Sequence, residues 1–316
     1  MDLIHLRLVS PPGRTGQIMA LLAADACTVN VALHRAAVTD PTADLVECDV
    51  VPGGVDSVLA GLRDLQVHRY GSLSAQPVAL TVSDRAEAAA AALPRAMARG
   101  PVWAAVEARI AADATYAPSF YLYLVIAGVI GAVGLLTNSQ ILIVAAMILG
   151  PEYGAIAGVT LGLDRRAGWR VRQGLLALAA GFGLAIVAAY AFTLVVRGLA
   201  MIPPAYAAGV RPVSHLIDTP DFFSVVVAVL AGVVGMVALT HIRTSTLLGV
   251  FVSVTTIPAA ADVGVALATG SLRAARGSLL QLLLNIVLLV VVGFLTLRAQ
   301  RAIWARITRR TASRRS

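Results

Sequence analysis

The 316-residue sequence contains little charge and no lysine at all. Only 13% of its residues are charged and 58% are hydrophobic, whereas about a quarter of a typical soluble domain is charged. This balance excludes an ordinary soluble protein and indicates a membrane protein. All 25 basic residues are arginines, and we assign no function to the missing lysine.

Motifs of several function classes are also missing. The sequence has no GxSxG, HExxH or paired aspartate motif, so we expect no enzyme. Cys27 and Cys48 lack CxxC spacing and nearby histidine pairs, which predicts reduced core thiols and neither metal nor cofactor. The net charge of +8 would fit nucleic acid. Its arginines gather at helix ends and in the tail, where anionic lipid explains them, so we expect no nucleic-acid partner.

The first 83 residues alternate between strand and helix patterns. Strands are predicted over residues 3–10, 28–38 and 44–51 and within 67–82, and helices over 17–26 and 55–65. The order βαββαβ predicts a small N-terminal α+β domain of the ferredoxin-like type. The sequence opens without a signal-peptide pattern, so we expect a cytoplasmic domain. His34 and His68 each stand alone on a predicted strand, and we interpret them as structural.

The rest of the chain is predicted to be an α-helical integral membrane protein. A linker over residues 84–118 contains Pro94 and a helix at 102–114, predicted to lie on the membrane with Trp103 among the headgroups. Packing of that helix on the soluble domain is the alternative. Six transmembrane helices are predicted within residues 119–297, at 119–136, 140–163, 171–196, 222–240, 247–267 and 279–297.

Charge predicts how these helices are oriented. Four arginines follow the second segment, and the basic tail, residues 298–316, follows the sixth, so both termini are predicted to face the cytoplasm across the inner (plasma) membrane. The tail is predicted to form an amphipathic helix on the inner leaflet. Arg273 and Arg276 lie between segments five and six, which this topology places outside.

Two segments carry a central proline and an acid. Pro151 precedes Glu152, and Pro258 precedes Asp262. Proline breaks the helical ladder, and non-helical backbone survives in lipid only where protein buries it or where it lines a wet cavity. An acid at that depth marks a functional site by default. We therefore predict a proton, cation or small-solute site between two broken helices, with these candidates: Asn138, Ser139, Pro151, Glu152, Tyr153, Thr255, Thr256, Pro258, Asp262, Gln281 and Asn285.

Structural roles are the alternatives for these residues. Thr255, Thr256, Gln281 and Asn285 would also serve to join helices. The two acids would also be accommodated in the headgroup region.

The two broken segments indicate an internal repeat. A shift of 107 residues superimposes Pro151 on Pro258 and Arg166 on Arg273. Two units of three crossings would form an inverted 3+3 repeat, as in many secondary transporters. Glycines at close spacing in segments one, two and four predict a homo-oligomer, for example a trimer.

Several short motifs resemble, in order and spacing, the bacterial and archaeal membrane family known as domain of unknown function 389. They are Gly134 to Ser139, Ala146-Met147, Gly150-Pro151, Val263-Gly264, Leu284-Asn285 and, near the N-terminus, Val29-Asn30-Val31, Asp44-Leu45-Val46 and Gly71-Ser72. The resemblance covers nearly the whole chain and implies a membrane protein without a settled activity. Glu152 and Asp262 depart from the family pattern, which usually has a second proline and no acid.

Two function classes remain open from the sequence. One is a transporter or channel with its path between the broken helices, modulated by the cytoplasmic domain. The other is a membrane-anchored sensor or scaffold whose soluble domain binds a ligand or partner.

Overall fold

The computed structural model describes residues 3–39, 42–93, 100–219, 221–240 and 256–312. The chain divides into two compact units, one of residues 1–106 with 301–316 and one of residues 107–300.

The first unit contains a four-stranded antiparallel sheet in the order β2-β3-β1-β4. Both long helices begin at a proline directly after a strand, several residues before the predicted starts, because proline is pre-organised for the first helical position. The last strand lies within the predicted range, and a short helix precedes it. The elements are β1 (Leu3–Ser10), α1 (Pro12–Ala24), β2 (Thr28–Thr39), β3 (Thr42–Val50), α2 (Pro52–Asp64), α3 (Val67–Tyr70) and β4 (Ser72–Val78).

One face of this sheet forms the core of the unit. Leu6 pairs with Cys48 and Leu8 with Val46 across β1 and β3, and all four side chains are buried. Cys27 is also buried, and both cysteines are free thiols. Burial raises the pKa of Cys48 to about 12, so its thiol is unreactive while this unit is folded.

Asp44 joins three elements beneath the sheet. Its carboxylate accepts the Ala36 N–H at 2.9 Å and the Thr15 hydroxyl at 2.8 Å. The Ala36 N–H, followed by the Thr15 hydroxyl, lowers the pKa of Asp44 below its ordinary 3.8. A lowered pKa in the folded state means that this carboxylate stabilises the fold above about pH 4, and that the contribution disappears as the pH falls through the folded value.

We expect Asp44→Asn to lower the urea midpoint of the first unit at pH 7. The neutral amide has one acceptor oxygen, so it cannot replace the charged carboxylate that accepts from both Ala36 and Thr15. The chain's only two cysteines are both buried in this unit, so the labelling of thiols against urea reports its unfolding alone. Asp64 is exposed at the end of α2, and Asp64→Asn is the matched control. A dipyridyl disulfide reacts at acid pH, and with it the difference between wild type and Asp44→Asn should shrink as the pH falls below 3.8, the ordinary pKa of the group. Equal midpoints for both variants at pH 7 would contradict this role.

Among the described residues after the sheet are two helices, α4 (Asp84–Ala91) and α5 (Trp103–Asp113). The N–H groups of Trp103 and Ala104 donate to the Asp56 carboxylate of α2, at 3.0 and 3.2 Å. Val102 packs in the core of the first unit, and Val106 and Ile110 are also buried in protein. The apolar side of this helix is therefore buried in protein, and the prediction that it lies on the membrane is wrong. The start of the helix packs on the sheet domain, as in the alternative. Pro94 lies outside the described residues.

The second unit is built from long apolar helices. Four of those described are long and apolar enough to cross a membrane, and α7 with α8 makes a fifth if the bent pair is one span. The helices are α6 (Pro118–Leu136), α7 (Gln140–Leu149), α8 (Glu152–Asp164), α9 (Gly168–Gly198), α10 (Pro204–Ala207), α11 (Pro212–Ile217), α12 (Phe222–Leu239), α13 (Thr256–Ala268) and α14 (Leu272–Ala312).

Two predicted boundaries change in this unit. Helix α13 has 13 residues, and the first part of the predicted fifth span, residues 247–255, lies outside the described ranges. Helix α14 runs for 41 residues, so the predicted tail helix is the continuation of the last span. Within it, Trp304 and Ile307 are half-buried and Arg301 lies over the Trp103 ring, 5.1 Å from its centroid.

Three pairs of helices recur at one interval. Helices α6 and α12 start at Pro118 and Phe222, α8 and α13 at Glu152 and Thr256, and α9 and α14 at Gly168 and Leu272, each pair 104 residues apart.

The turns after α8 and α13 repeat as well. The Ala167 N–H donates to the Gly162 carbonyl, the Ser271 N–H donates to the Ala266 carbonyl, and both distances are 2.8 Å. The interval of 107 inferred from the prolines is therefore wrong for the helices, because Pro151 precedes its helix whereas Pro258 lies within the first turn of its own.

Glycines let these helices approach closely. A Cβ on Gly128 would lie 2.6 Å from the Ala185 carbonyl oxygen of α9, and one on Gly264 would lie 2.6 Å from that of Ile186. Gly131 faces Ala261 and Gly134 faces Ile143 in the same way. The small-residue faces predicted to hold an oligomer are thus used within one chain, and oligomerisation stays a prediction without their support.

We expect Gly264→Ala to destabilise the helical unit by about 1–3 kcal/mol, because the new methyl group meets the backbone of α9 and not a side chain that could move. Gly183 lies on α9, the helix that Gly264 contacts. A Cβ on Gly183 would meet nothing within 4 Å, so Gly183→Ala is the control. Thermal unfolding in detergent, followed by loss of the folded peak in size-exclusion chromatography, measures both. A Gly264→Ala variant as stable as the control would refute this close contact.

Candidate functional site

The predicted break in the second span is present. Helix α7 ends at Leu149, α8 begins at Glu152, and the two helices are bent by 50° at Gly150-Pro151. A Cβ on Gly150 would collide with the Glu152 carboxylate. The glycine therefore leaves room for this side chain to lie back over the break.

Glu152 is fully buried and meets the other half of the unit. Its Oε1 accepts the Thr256 hydroxyl at 2.8 Å. Glu152 is the first residue of α8 and Thr256 the first of α13. The positive ends of both helix dipoles therefore lie near the carboxylate, where negative charge is favoured.

Asp262 is also fully buried, but its partners are different. It accepts the Ser214 hydroxyl at 2.7 Å and the Ser278 hydroxyl at 2.6 Å. It lies six residues beyond Thr256 on α13, which is about 9 Å along a helix axis. Within the described ranges no salt bridge reaches Asp262. The hydroxyl groups described at the two acids are therefore different, and a site shared by both acids stays a prediction.

Ser214 comes from the connection between α9 and α12. The described part of this connection contains α10 and α11, and the side chains of Tyr206 and Ser214 are buried. Arg211 lies over the Tyr206 ring, 4.2 Å from its centroid. Arg197 donates to the Ala268 carbonyl at 2.8 Å and satisfies the end of α13. The connection is thus part of the packed unit.

Neither Ser214 nor Ser278 was among the candidates predicted from the sequence. Ser278, Gln281 and Asn285 are buried on one face of α14, spaced three and four residues apart, and this polar spacing was a usable signal. Ser214 gave no comparable signal, because its position in an irregular connection depends on the tertiary fold.

The other candidates have local contacts. The Asn138 amide donates to the Val210 carbonyl at 3.0 Å, and Ser139 caps α7 through the Leu142 N–H. The Tyr153 hydroxyl donates to the Gly235 carbonyl. Gln281 donates to Asn285 at 3.3 Å, so these two share a helix face as predicted. Thr255 lies outside the described residues.

A second polar cluster lies on the sheet of the first unit, on the face opposite its core. His5 Nδ1 is 2.9 Å from the Asp49 carboxylate, and Glu47 lies within 3.8 Å of His5 and 3.6 Å of His34. Asn30 also donates to Asp49 at 2.8 Å. His34, interpreted as an isolated residue, is therefore part of a group. Among the described residues, no set of three or more His, Cys, Asp or Glu side chains could hold a metal ion.

These features define a class: a membrane protein of several apolar helices with a broken span, buried acids and a separate small α+β unit. The family model described as Domain of unknown function (DUF389) matches residues 147–291, a little under half of the chain. This match confirms the resemblance noted in the sequence and supports assignment of the chain to that family, and it spans Pro151, both acids and Asn285. No curated protein and no solved structure matches the chain.

We expect Ser214→Ala and Asp262→Ala to be energetically coupled, by about 0.5–3 kcal/mol in a double-mutant cycle, because each removes the same hydrogen bond. Ser214→Ala and Glu152→Gln should instead be additive within about 0.5 kcal/mol, because Ser214 bonds to Asp262 whereas Glu152 bonds to Thr256. Thermal unfolding in one detergent gives all the values. Equal coupling in both cycles would show that the acids form a single network.

Proposed function

We propose that this protein is a transporter or channel for a proton, a cation or a small solute, with Asp262 and Glu152 in its path. The observation that carries the proposal is Asp262, fully buried in an apolar helical unit and bonded to two serine hydroxyls. A buried negative charge is costly unless a proton or cation offsets it. Carboxylate and hydroxyl oxygens are also the ligands that hard cations prefer.

An inverted repeat of three crossings is part of this proposal. The interval of 104 residues relates Thr160 to Gly264 and Ala189 to Gly293. Gly264 packs against Ala189, and Gly293 packs against Thr160, so the two contacts are exchanged by the same interval. A two-fold relation between repeats generates contacts in such exchanged pairs. Six crossings in two inverted halves account for this pattern.

The contacts suggest how the site would open. Asp262 is held between α11 of the connection and α14, through one serine from each. Movement of the connection away from α13 would remove the Ser214 bond and expose the carboxylate to one side of the membrane. A bound proton or cation would replace that bond, so occupancy and movement would be linked.

Charge supports one orientation. Arg298 is 3.5 Å from Asp164, and Gln300 donates to Thr240 at 3.2 Å, so these residues lie at one end of the helical unit. The arginines that follow α8 are at that same end. By the positive-inside rule this end would face the cytoplasm of a cell with an inner (plasma) membrane. The sheet order β2-β3-β1-β4 is that expected for a ferredoxin-like domain, which would modulate the path.

The sensor or scaffold is the second candidate, and the cluster of His5, His34, Glu47 and Asp49 favours it. Histidines beside carboxylates on an open sheet face suit the binding of a ligand or a partner. In that case the helices would only anchor the chain, and the buried acids would only join helices.

Flux into liposomes separates the two candidates. We expect wild-type proteoliposomes to show proton- or cation-dependent flux, and Asp262→Asn to reduce it at least tenfold, because the amide keeps the shape but cannot carry the charge. Glu152→Gln should also reduce the flux. Asp113 is an exposed acid of the same unit, so Asp113→Asn is the matched control and should keep wild-type flux.

Folding must be checked in the same preparations. Each variant should elute as wild type in size-exclusion chromatography before reconstitution. Wild-type liposomes that pass no proton, cation or small solute would refute transport and favour the sensor. Unchanged flux in folded Asp262→Asn would remove Asp262 from the path.

A further inference from the structure

A groove opens where α8 turns into α9. It has a volume of about 770 Å³, and its lining is almost entirely apolar apart from two arginines. The lining residues are Gly162, Leu163, Arg166, Gly168, Val171, Arg172, Leu175, Leu176 and Ala179.

The long wall of the groove runs down α9. Arg172, Leu175, Leu176 and Ala179 are spaced three, four and seven residues apart, so they lie on one face of the helix. The arginine is at the end near the turn, and the apolar residues extend about 10 Å from it along the span. A charged head followed by an apolar strip matches the shape of a lipid.

The two groove arginines are available for an anion. Arg166 and Arg172 are exposed, and neither forms a salt bridge with an acid in the part of the chain that the structure describes. The nearby acids are already engaged, because Glu107 pairs with Arg165 and Asp164 with Arg298. The groove therefore has net positive charge.

We propose that this groove binds an anionic phospholipid. The headgroup phosphate contacts Arg166 and Arg172, and an acyl chain lies along Leu175, Leu176 and Ala179. Trp169, on the same turn, is 61% exposed and lies against Arg170. Exposed tryptophan is typical of the headgroup level, which places the turn at the depth where a lipid phosphate lies.

The turn between α13 and α14 corresponds to this turn at the interval of 104 residues, and a comparison of the two turns shows which residues differ. There, Gly270 stands in the place of Arg166 and Leu283 in the place of Ala179, while Arg276 corresponds to Arg172. Arg166 and Gly270 both have positive φ, 53° and 81°. Glycine adopts this conformation without strain, so Arg166→Gly removes the charge and keeps the turn.

The test compares lipids with identical acyl chains on the full-length protein in detergent. Native mass spectrometry titrations with phosphatidylglycerol and phosphatidylcholine give the dissociation constants. We expect a preference for phosphatidylglycerol in wild type, and a roughly fivefold weaker affinity in Arg166→Gly. Arg166→Gly with Arg172→Gln should weaken it about thirtyfold. Ala179→Leu should weaken the binding of both lipids, because the larger side chain fills the groove.

Arg273→Gln with Arg276→Gln removes the same number of charges from an exposed part of α14 and is the control. It should leave the affinity for phosphatidylglycerol unchanged. Glycerol phosphate, which has the headgroup charge without acyl chains, should fail to displace the lipid at millimolar concentration. Displacement by glycerol phosphate, an equal affinity for both lipids, or an equal loss in the control would overturn the proposal.

Discussion

In hydrocarbon, every backbone N–H and C=O group needs a partner within the protein, and the break at Gly150-Pro151 survives only because the structure meets that need. The break is covered by Glu152, which reaches the first residue of a second helix, Thr256. Two helix starts therefore meet at one carboxylate inside the unit. Neighbouring helices have to enclose this meeting point, because a buried carboxylate is costly where it faces lipid.

Helix α9 provides that enclosure. Along its length, Gly174 approaches Val159 of α8, Gly181 approaches Leu124 of α6, and Ala185 contacts Gly128 of α6. Further on, Ile186 and Ala189 contact Gly264 of α13. Small residues are needed at each crossing, because no hydrophobic force draws helices together in lipid and close van der Waals packing must do so. The glycines thus allow α9 to hold α8 and α13 together.

Hydropathy, strand periodicity and proline placement were sufficient to predict the four or five apolar spans described, the break at Pro151 and the four strands. These features depend on local chemistry. Ser214, which holds Asp262, could not be placed in the same way, because it is 48 residues away in sequence and lies in a connection without regular periodicity. The glycine faces were recognised but given to a partner copy, because a small-residue stripe does not reveal which helix covers it.

The repeat register depended on tertiary structure as well. Pro151 and Pro258 look equivalent in sequence, but Pro151 precedes its helix whereas Pro258 lies inside its own. Aligning the two prolines therefore gives an interval three residues longer than the interval between the helices. With the correct interval of 104, Glu152 corresponds to Thr256. One copy then supplies the hydrogen-bond acceptor and the other supplies the donor, so the central bond is formed between positions that would be identical in a perfect repeat.

Asp262 has no such counterpart, and the packing explains why. Its position in the first copy is Gly158, where a Cβ would lie 3.0 Å from the Ala114 methyl carbon and 3.3 Å from the Tyr116 hydroxyl. A carboxylate cannot fit there without displacing this chain segment. An acid is therefore present at this position only in the second half, where Asp262 lies beside the connection formed by α10 and α11. In the proposed mechanism, the second half carries Asp262, where a proton or cation binds and leaves. The first half has no acid at the corresponding position and provides the fixed surface against which the second half moves.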